Sequence, residues 1–161
     1  MSIKIFTTGG TIDKIYFDAK SEYEVGDPQI TEILVDAGVT VSYEVETLLR
    51  KDSLDLTEED RQMIVDRVRR EPAAKVLITH GTDTMVETAL RLRDVPGKTI
   101  VLVGSLSPAR FRNSDAVFNI GFAMAAVQTL AEGVYIAMNG HVFDPLHVRK
   151  NRETNRFEPV D

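Results

Sequence analysis

The feature that most restricts this chain is a set of short, continuously apolar runs separated by helical patterns. Lys75–Thr79, Thr99–Val103 and Val134–Met138 carry apolar side chains at successive rather than alternate positions. A strand covered on one face alternates, whereas a run apolar at every position is covered on both, as in a parallel sheet. Ser2–Thr7 and Val41–Leu48 read as two further strands. Between the strands lie helices. Thr57-Glu58-Glu59-Asp60 opens as a capping box, with Ile64, Val65 and Val68 on one face behind it. Thr84-Met85-Val86-Glu87 is a second such box, opening a helix to about Arg93 that Pro96-Gly97 breaks. Pro28–Ala37, closed by Gly38, is a weaker first helix. Asn113 or Ser114 starts a longer one, running to about Ala131 and ended by Gly133. Its Phe118, Ile120, Phe122, Met124, Ala126 and Val127 leave no clean polar face, so it is expected to be buried within the domain or against another subunit. Strand–helix alternation along the whole chain predicts an α/β fold: a doubly wound, mostly parallel sheet with helices on both faces. With no repeat, linker or low-complexity segment, residues 1–161 are expected to form a single domain.

Composition narrows the function. Cysteine is absent, which excludes a disulfide scaffold, a thiolate metal site and a thiol nucleophile. The net charge of −6 argues against nucleic acid as a partner, because phosphate binding needs a basic face. No apolar stretch reaches the ~18 residues of a membrane span. Met1-Ser2-Ile3-Lys4 leads straight into strand sequence, without the apolar core of a signal peptide. The expectation is a soluble, cytoplasmic protein of one domain.

In doubly wound sheets, ligands bind at the carboxyl ends of the strands, where the strand order reverses. The first strand ends in Thr7-Thr8-Gly9-Gly10-Thr11-Ile12. Its glycines let backbone approach a ligand, and Thr11 offers a hydroxyl. The three spaced glycines of a dinucleotide loop and the lysine of a phosphate loop are missing, so a tight turn and a catalytic loop both fit. The third strand ends in Thr79-His80-Gly81-Thr82-Asp83-Thr84. There a hydroxyl beside a carboxylate, at a helix N-terminus, can relay a proton; Asp83 as a plain helix cap is the alternative.

Together the two loops resemble the bacterial-type L-asparaginase family, in its N-terminal catalytic domain. The resemblance continues through Ser21-Glu22-Tyr23-Glu24-Val25-Gly26, similar to the segment carrying the family's catalytic tyrosine, and through Lys51-Asp52-Ser53-Leu54-Asp55. Val103-Gly104-Ser105-Leu106-Ser107-Pro108, Asn113 to Asn119, and His147-Val148-Arg149-Lys150 match in order. A threonine hydroxyl is a weak nucleophile and needs a neighbour to take its proton. The resemblance implies Thr11 as primary nucleophile, attacking the side-chain amide of L-asparagine to give an aspartyl ester, with Tyr23 polarising Thr11 or helping to take its proton. It implies Thr82, Asp83 and Lys150 as a second set, which activates water or protonates departing ammonia. Ser53 and Asp83 would hold the amino acid's charged ends, with Gly10, Asp52, Gly81 and Ser105 as further binding positions. Backbone N–H groups around Gly10-Thr11 and Gly81-Thr82 would be the oxyanion donors. No metal or organic cofactor is implied. L-glutamine is a second candidate substrate, and a homodimer or homotetramer the expected assembly.

Three departures thin the recognition shell. Family members usually run considerably longer, with a second domain that lends polar residues to a neighbouring subunit's site. Leu54 stands where relatives have a polar residue, and Asp13 where they have a small one. Two rival readings therefore stand beside the amidohydrolase: a non-catalytic amino-acid-binding module, and an amidase for another small amide. Other residues carry less. His141 and His147 have no third ligand at metal-site spacing, and His80 reads as bonded to nearby backbone. Tyr16 lacks the Tyr-x-Val-Gly setting of Tyr23. In the basic run Arg149-Lys150-Asn151-Arg152 only Lys150 departs from a solvated tail.

Overall fold

Residues 1–18 and 22–161 are described in the computed structural model; Ser21, at the head of the Tyr23 segment, lies outside them. The chain runs β1 (Ser2–Gly9), β2 (Lys14–Phe17), β3 (Glu22–Val25), α1 (Ile30–Asp36), β4 (Ser42–Lys51), α2 (Glu58–Arg70) and β5 (Lys75–Thr79). It continues through α3 (Met85–Leu92), β6 (Thr99–Val103), α4 (Ala116–Thr129), β7 (Gly133–Met138), β8 (His141–Phe143), β9 (Val148–Asn151) and β10 (Arg156–Pro159). The central sheet has the order β4-β1-β5-β6-β7-β8, with β8 alone antiparallel. Two hairpins, β2–β3 and β9–β10, stand apart from it.

Both faces of the sheet are covered, as continuously apolar strands require. Ile3, Ile5, Leu77, Val101 and Val103 point to the side of α1 and α4, where Ile30, Leu34, Ile120 and Val127 meet them. Phe6, Val76, Ile78, Ile100 and Leu102 point to the other, against Ile64, Val68, Met85 and Leu92 of α2 and α3. The doubly wound expectation holds. Ordered by their place in the chain, the five parallel strands run second, first, third, fourth, fifth, the flavodoxin-like arrangement, so the reversal falls between β1 and β5.

Local signals behaved unequally. The Thr57 box forms as expected, Thr57 Oγ1 accepting from Asp60 N and the Asp60 carboxylate from Thr57 N. The Thr84 box does not. Thr84 has no side-chain cap; its hydroxyl donates to Ser53 O at 2.8 Å and its N–H to Ser53 Oγ at 3.1 Å, a long-range demand that overrides the local one. Helix α1 starts later than Pro28 but closes at Gly38 (φ +65°) as predicted, with Gly38 N donating to Val35 O and Val39 N to Leu34 O. Helix α4 begins at Ala116 rather than Asn113 or Ser114, because Asp115 turns its carboxylate onto the N–H groups of Leu106 and Ser107. It leaves the helix at Leu130, before Gly133. One side of α4 is buried, yet Val117 and Phe118 are each 60% exposed, so its outer side is both apolar and uncovered in the single chain. The basic run at 149–152 is no free tail: Arg149, Lys150 and Asn151 lie in β9, Arg152 opens the turn after it, and Arg149 pairs with Glu158 across the hairpin. Among the described residues no helix is long and apolar enough to cross a membrane.

Candidate active site

At the reversal between β1 and β5 the two glycine loops touch. Gly10 has φ 92° and ψ −179°, a conformation essentially restricted to glycine. A Cβ on Gly10 would stand 2.5 Å from both N and Cα of Gly81. A Cβ on Gly81 would in turn stand 2.7 Å from Cβ of Ser53. Absent side chains thus stack Gly10, Gly81 and Ser53 in one place, although they follow three different strands. The pairing of β1 with β4 shifts register between Thr7 and Gly9, and Gly10 N donates to Lys51 O at 2.9 Å. That shift carries the chain off the sheet into the 3-10 turn Thr11–Asp13. Among the described residues the Thr11 hydroxyl has no hydrogen-bond partner.

Lys150 is delivered by β9. Its Nζ lies 2.7 Å from Thr82 Oγ1 and 2.6 Å from Asp83 Oδ1. The Lys150 side chain is only 9% exposed and that of Asp83 29%, so the pair is half-buried. Accepting from the ammonium leaves Thr82 its own O–H to donate. Arg152 Nε approaches the same Asp83 oxygen at 3.7 Å, a partner not foreseen from the sequence.

Ser53 is buried in its own 3-10 turn, fixed by the two bonds to Thr84 already described. The neighbouring Asp52 carboxylate is met by Lys14 Nζ at 3.1 Å, from the foot of the β2–β3 hairpin. Glycines, hydroxyls, two lysines and carboxylates from five segments therefore converge at one end of the sheet. Such a set can hold a polar ligand, present hydroxyls and move protons. Among the described residues no three His, Asp or Glu side chains gather as a metal site.

Two predicted residues stand apart. Tyr23 is half exposed on β3, opposite Tyr16 on β2 (ring centroids 5.3 Å apart) and edge-on to Phe111 at 5.6 Å. Among the described residues no hydrogen bond joins it to Thr11, Thr82 or Lys150. Ser105 is fully buried and its hydroxyl donates to Ser107 O at 2.5 Å. Beneath that loop a network absent from the sequence reading ties β6 to β7. Asn119 Nδ2 donates to Gly104 O at 2.9 Å, Asn119 Oδ1 accepts from Asn139 N at 3.0 Å, and Asp115 accepts from both asparagine amides. The i, i+4 spacing of Asp115 and Asn119 was its only sequence trace.

His80 is fully buried and bonds backbone as expected, Nδ1 lying 2.6 Å from Gly81 O and Nε2 2.8 Å from Thr88 Oγ1. A carbonyl only accepts, so Nδ1 carries the proton and Nε2 accepts from Thr88. Burial lowers its pKa to about 4. Asp13 is shifted the other way, to about 7: burial raises it, outweighing the Gln29 N–H bonded to it and the Arg50 charge.

Residues 2–159 match the family described as Asparaginase, N-terminal. Glutaminase-asparaginase of Acinetobacter glutaminasificans is 31% identical over 97% of this chain and 52% of its own. L-asparaginase 2 of Escherichia coli is 32% identical over 96% of this chain and 47% of its own. A glutamyl-tRNA(Gln) amidotransferase component of Methanococcus maripaludis is 29% identical over 96% of this chain and 40% of its own. The thermostable L-asparaginase from Thermococcus kodakarensis superposes with a TM-score of 0.84 at 27% identity, covering 99% of this chain and 51% of that one. The chain thus spans about half the length of the relatives it matches.

Proposed function

The chain belongs to the asparaginase family, through its N-terminal domain, and from that premise we propose that it is an amidohydrolase releasing ammonia from L-asparagine through an ester on Thr11. The observation that carries this reading is the half-buried contact of Lys150 with Thr82 and Asp83, on a loop whose Gly81 packs against Gly10, the residue before a threonine whose hydroxyl is unengaged. A module that only bound an amino acid would have little use for two hydroxyls, one of them tied to an amine and a carboxylate.

In this reading Thr11 Oγ attacks the amide carbon. The C–O bond forms, the C–N bond breaks, and the Thr11 proton leaves on nitrogen as part of ammonia. Water then attacks the ester, giving L-aspartate and restoring the Thr11 hydroxyl. Thr82, with Lys150 and Asp83 behind it, passes protons between leaving nitrogen and incoming water. Tyr23 reaches Thr11 from the hairpin once substrate is bound. The Gly10 N–H is already spent on Lys51 O, so the N–H groups of Thr11 and Thr82 are the oxyanion donors. Ser53, Asp52 and Asp83 hold the charged ends of the amino acid, and Gly10 and Gly81 give it room. Ser105 braces the loop above α4. No cofactor enters this scheme. Self-association through the uncovered side of α4, as a homodimer or homotetramer, belongs to the same reading.

The test is a coupled ammonia-release assay over L-asparagine, L-glutamine and simpler amides. Release from L-asparagine that disappears in Thr11→Ala is the expected result. Turnover only of another amide moves the substrate assignment, and no release from any amide overturns the reading.

A further inference from the structure

Building on the roles given to Thr11 and Tyr23, we propose that Asp13 is a positioning residue, clamping both feet of the β2–β3 hairpin to the turn that carries Thr11.

Asp13 ends that turn and is 2% exposed. It is bonded at three points. Its N–H donates to Gly10 O at 3.1 Å, on the residue before Thr11. Its carbonyl accepts from Gly26 N at 2.8 Å, the residue that follows β3. Carboxylate oxygen Oδ1 accepts from Gln29 N at 2.9 Å, immediately before α1. The hairpin leaves at Lys14 and returns at Val25, which face each other in register. Asp13 therefore holds the outgoing foot by the chain itself and the returning foot by two hydrogen bonds. A further bond, Ala109 N to Ile12 O at 3.1 Å, joins the same turn to the segment whose Phe111 meets the Tyr23 ring. Asp13 is thus the one residue bonded both to the Thr11 turn and to the returning foot of the hairpin that places Tyr23.

A neutral asparagine would accept from Gln29 N–H equally well, so the carboxyl at this position has a consequence of its own. A buried carboxylate needs a cation or several donors. Here the charged groups facing it are few. Arg50 on β4 lowers the Asp13 pKa only from a distance, its guanidinium being bonded to Asp27 at 2.6 Å, and Lys14 is engaged by Asp52. Among the described residues no cation is paired with Asp13. Burial accordingly holds its pKa near neutrality, at about 7. Ionisation strengthens the Gln29 N–H bond but leaves the buried charge otherwise unsolvated, and opening of the hairpin feet is what hydrates it while the sheet stays intact. The clamp is tight when Asp13 carries its proton and slackens as the pH rises past neutrality.

Hydrogen exchange of the whole chain reads this directly, independently of activity. In the wild type, protection of the hairpin amides in 14–18 and 22–25, relative to β5 and β6 and corrected for intrinsic rates, should fall at least about fivefold between about pH 6 and pH 8.5. Asp13→Asn should abolish that fall. Asp13→Ala should lower hairpin protection at both pH values and reduce kcat about tenfold or more with a smaller effect on KM, and Asn should restore kcat. Hairpin protection independent of pH in the wild type, or identical behaviour of the Ala and Asn variants, would overturn the clamp. Should Asp13→Ala not fold, the wild type and Asp13→Asn decide the matter alone. A wild type that releases no ammonia would sink the amidohydrolase reading, while the exchange data still judge the clamp.

Discussion

Gly10 and Gly81 press backbone to backbone: a β-carbon on the first would lie 2.5 Å from the N and Cα of the second. This contact brings the ends of β1 and β5 into one site. Gly10→Ala meets both that clash and a backbone conformation costing about 1–3 kcal/mol for any other residue. The variant should lose stability by at least that amount and lose nearly all ammonia release. A urea titration with wild-type-like midpoint would show that the two loops are not held in contact.

Thr11→Ala and Thr82→Val should each lower kcat by several orders of magnitude while the chain still folds, with little change in unfolding midpoint for Thr11→Ala and a larger loss for Thr82→Val, whose buried hydroxyl accepts from Lys150. Groups that act as a unit are not additive, so the double variant should be scarcely slower than either single one. Steady-state kinetics on the three proteins checks this, and wild-type turnover in Thr11→Ala would remove it from the nucleophile role.

Asp13 and His80 pull stability in opposite directions. Asp13 moves from 3.8 to about 7 on folding, so between those values the fold keeps a proton the unfolded chain has lost, and stability falls as pH rises. His80 moves from 6.5 to about 4, so below 6.5 the unfolded chain gains a proton the fold refuses, and stability falls as pH drops. Each is worth a few kcal/mol at most, at about 1.4 kcal/mol for each pH unit between the two values. Between about pH 4 and 6.5 the two slopes oppose each other. Asp13→Asn should unmask a stability that rises with pH, and should be more stable than wild type at pH 8. Urea midpoints at four pH values will show it; an unchanged slope in Asp13→Asn would assign the shift elsewhere.

The uncovered Val117 and Phe118 of α4 predict a species larger than 18.0 kDa by light scattering at micromolar concentration. Replacing both by Glu should return the mass to 18.0 kDa without unfolding the chain, since neither side chain is buried. A wild type that already scatters as one chain would remove α4 as an interface.

What the residues dictated by themselves was everything that depends on near neighbours in the chain. Successive apolar side chains in Lys75–Thr79 and Thr99–Val103 demanded cover on two faces, and the Thr57 box and Gly38 marked helix ends through bonds spanning a few residues. Thr11 and Thr82 were legible because each follows its strand directly. Sheet order and strand register lay beyond such signals, and they decided the rest. Only the adjacency of β1 and β5 sets Gly10 against Gly81, and only the β9–β10 hairpin carries Lys150 back across 68 residues to Thr82. The same long-range packing drew Thr84 away from its own helix to Ser53 and sealed the Asp13 carboxyl from water. Periodicity and capping are energies of a few adjacent residues, whereas a buried hydrogen bond between distant loops exists only once the whole sheet has fixed where each loop ends.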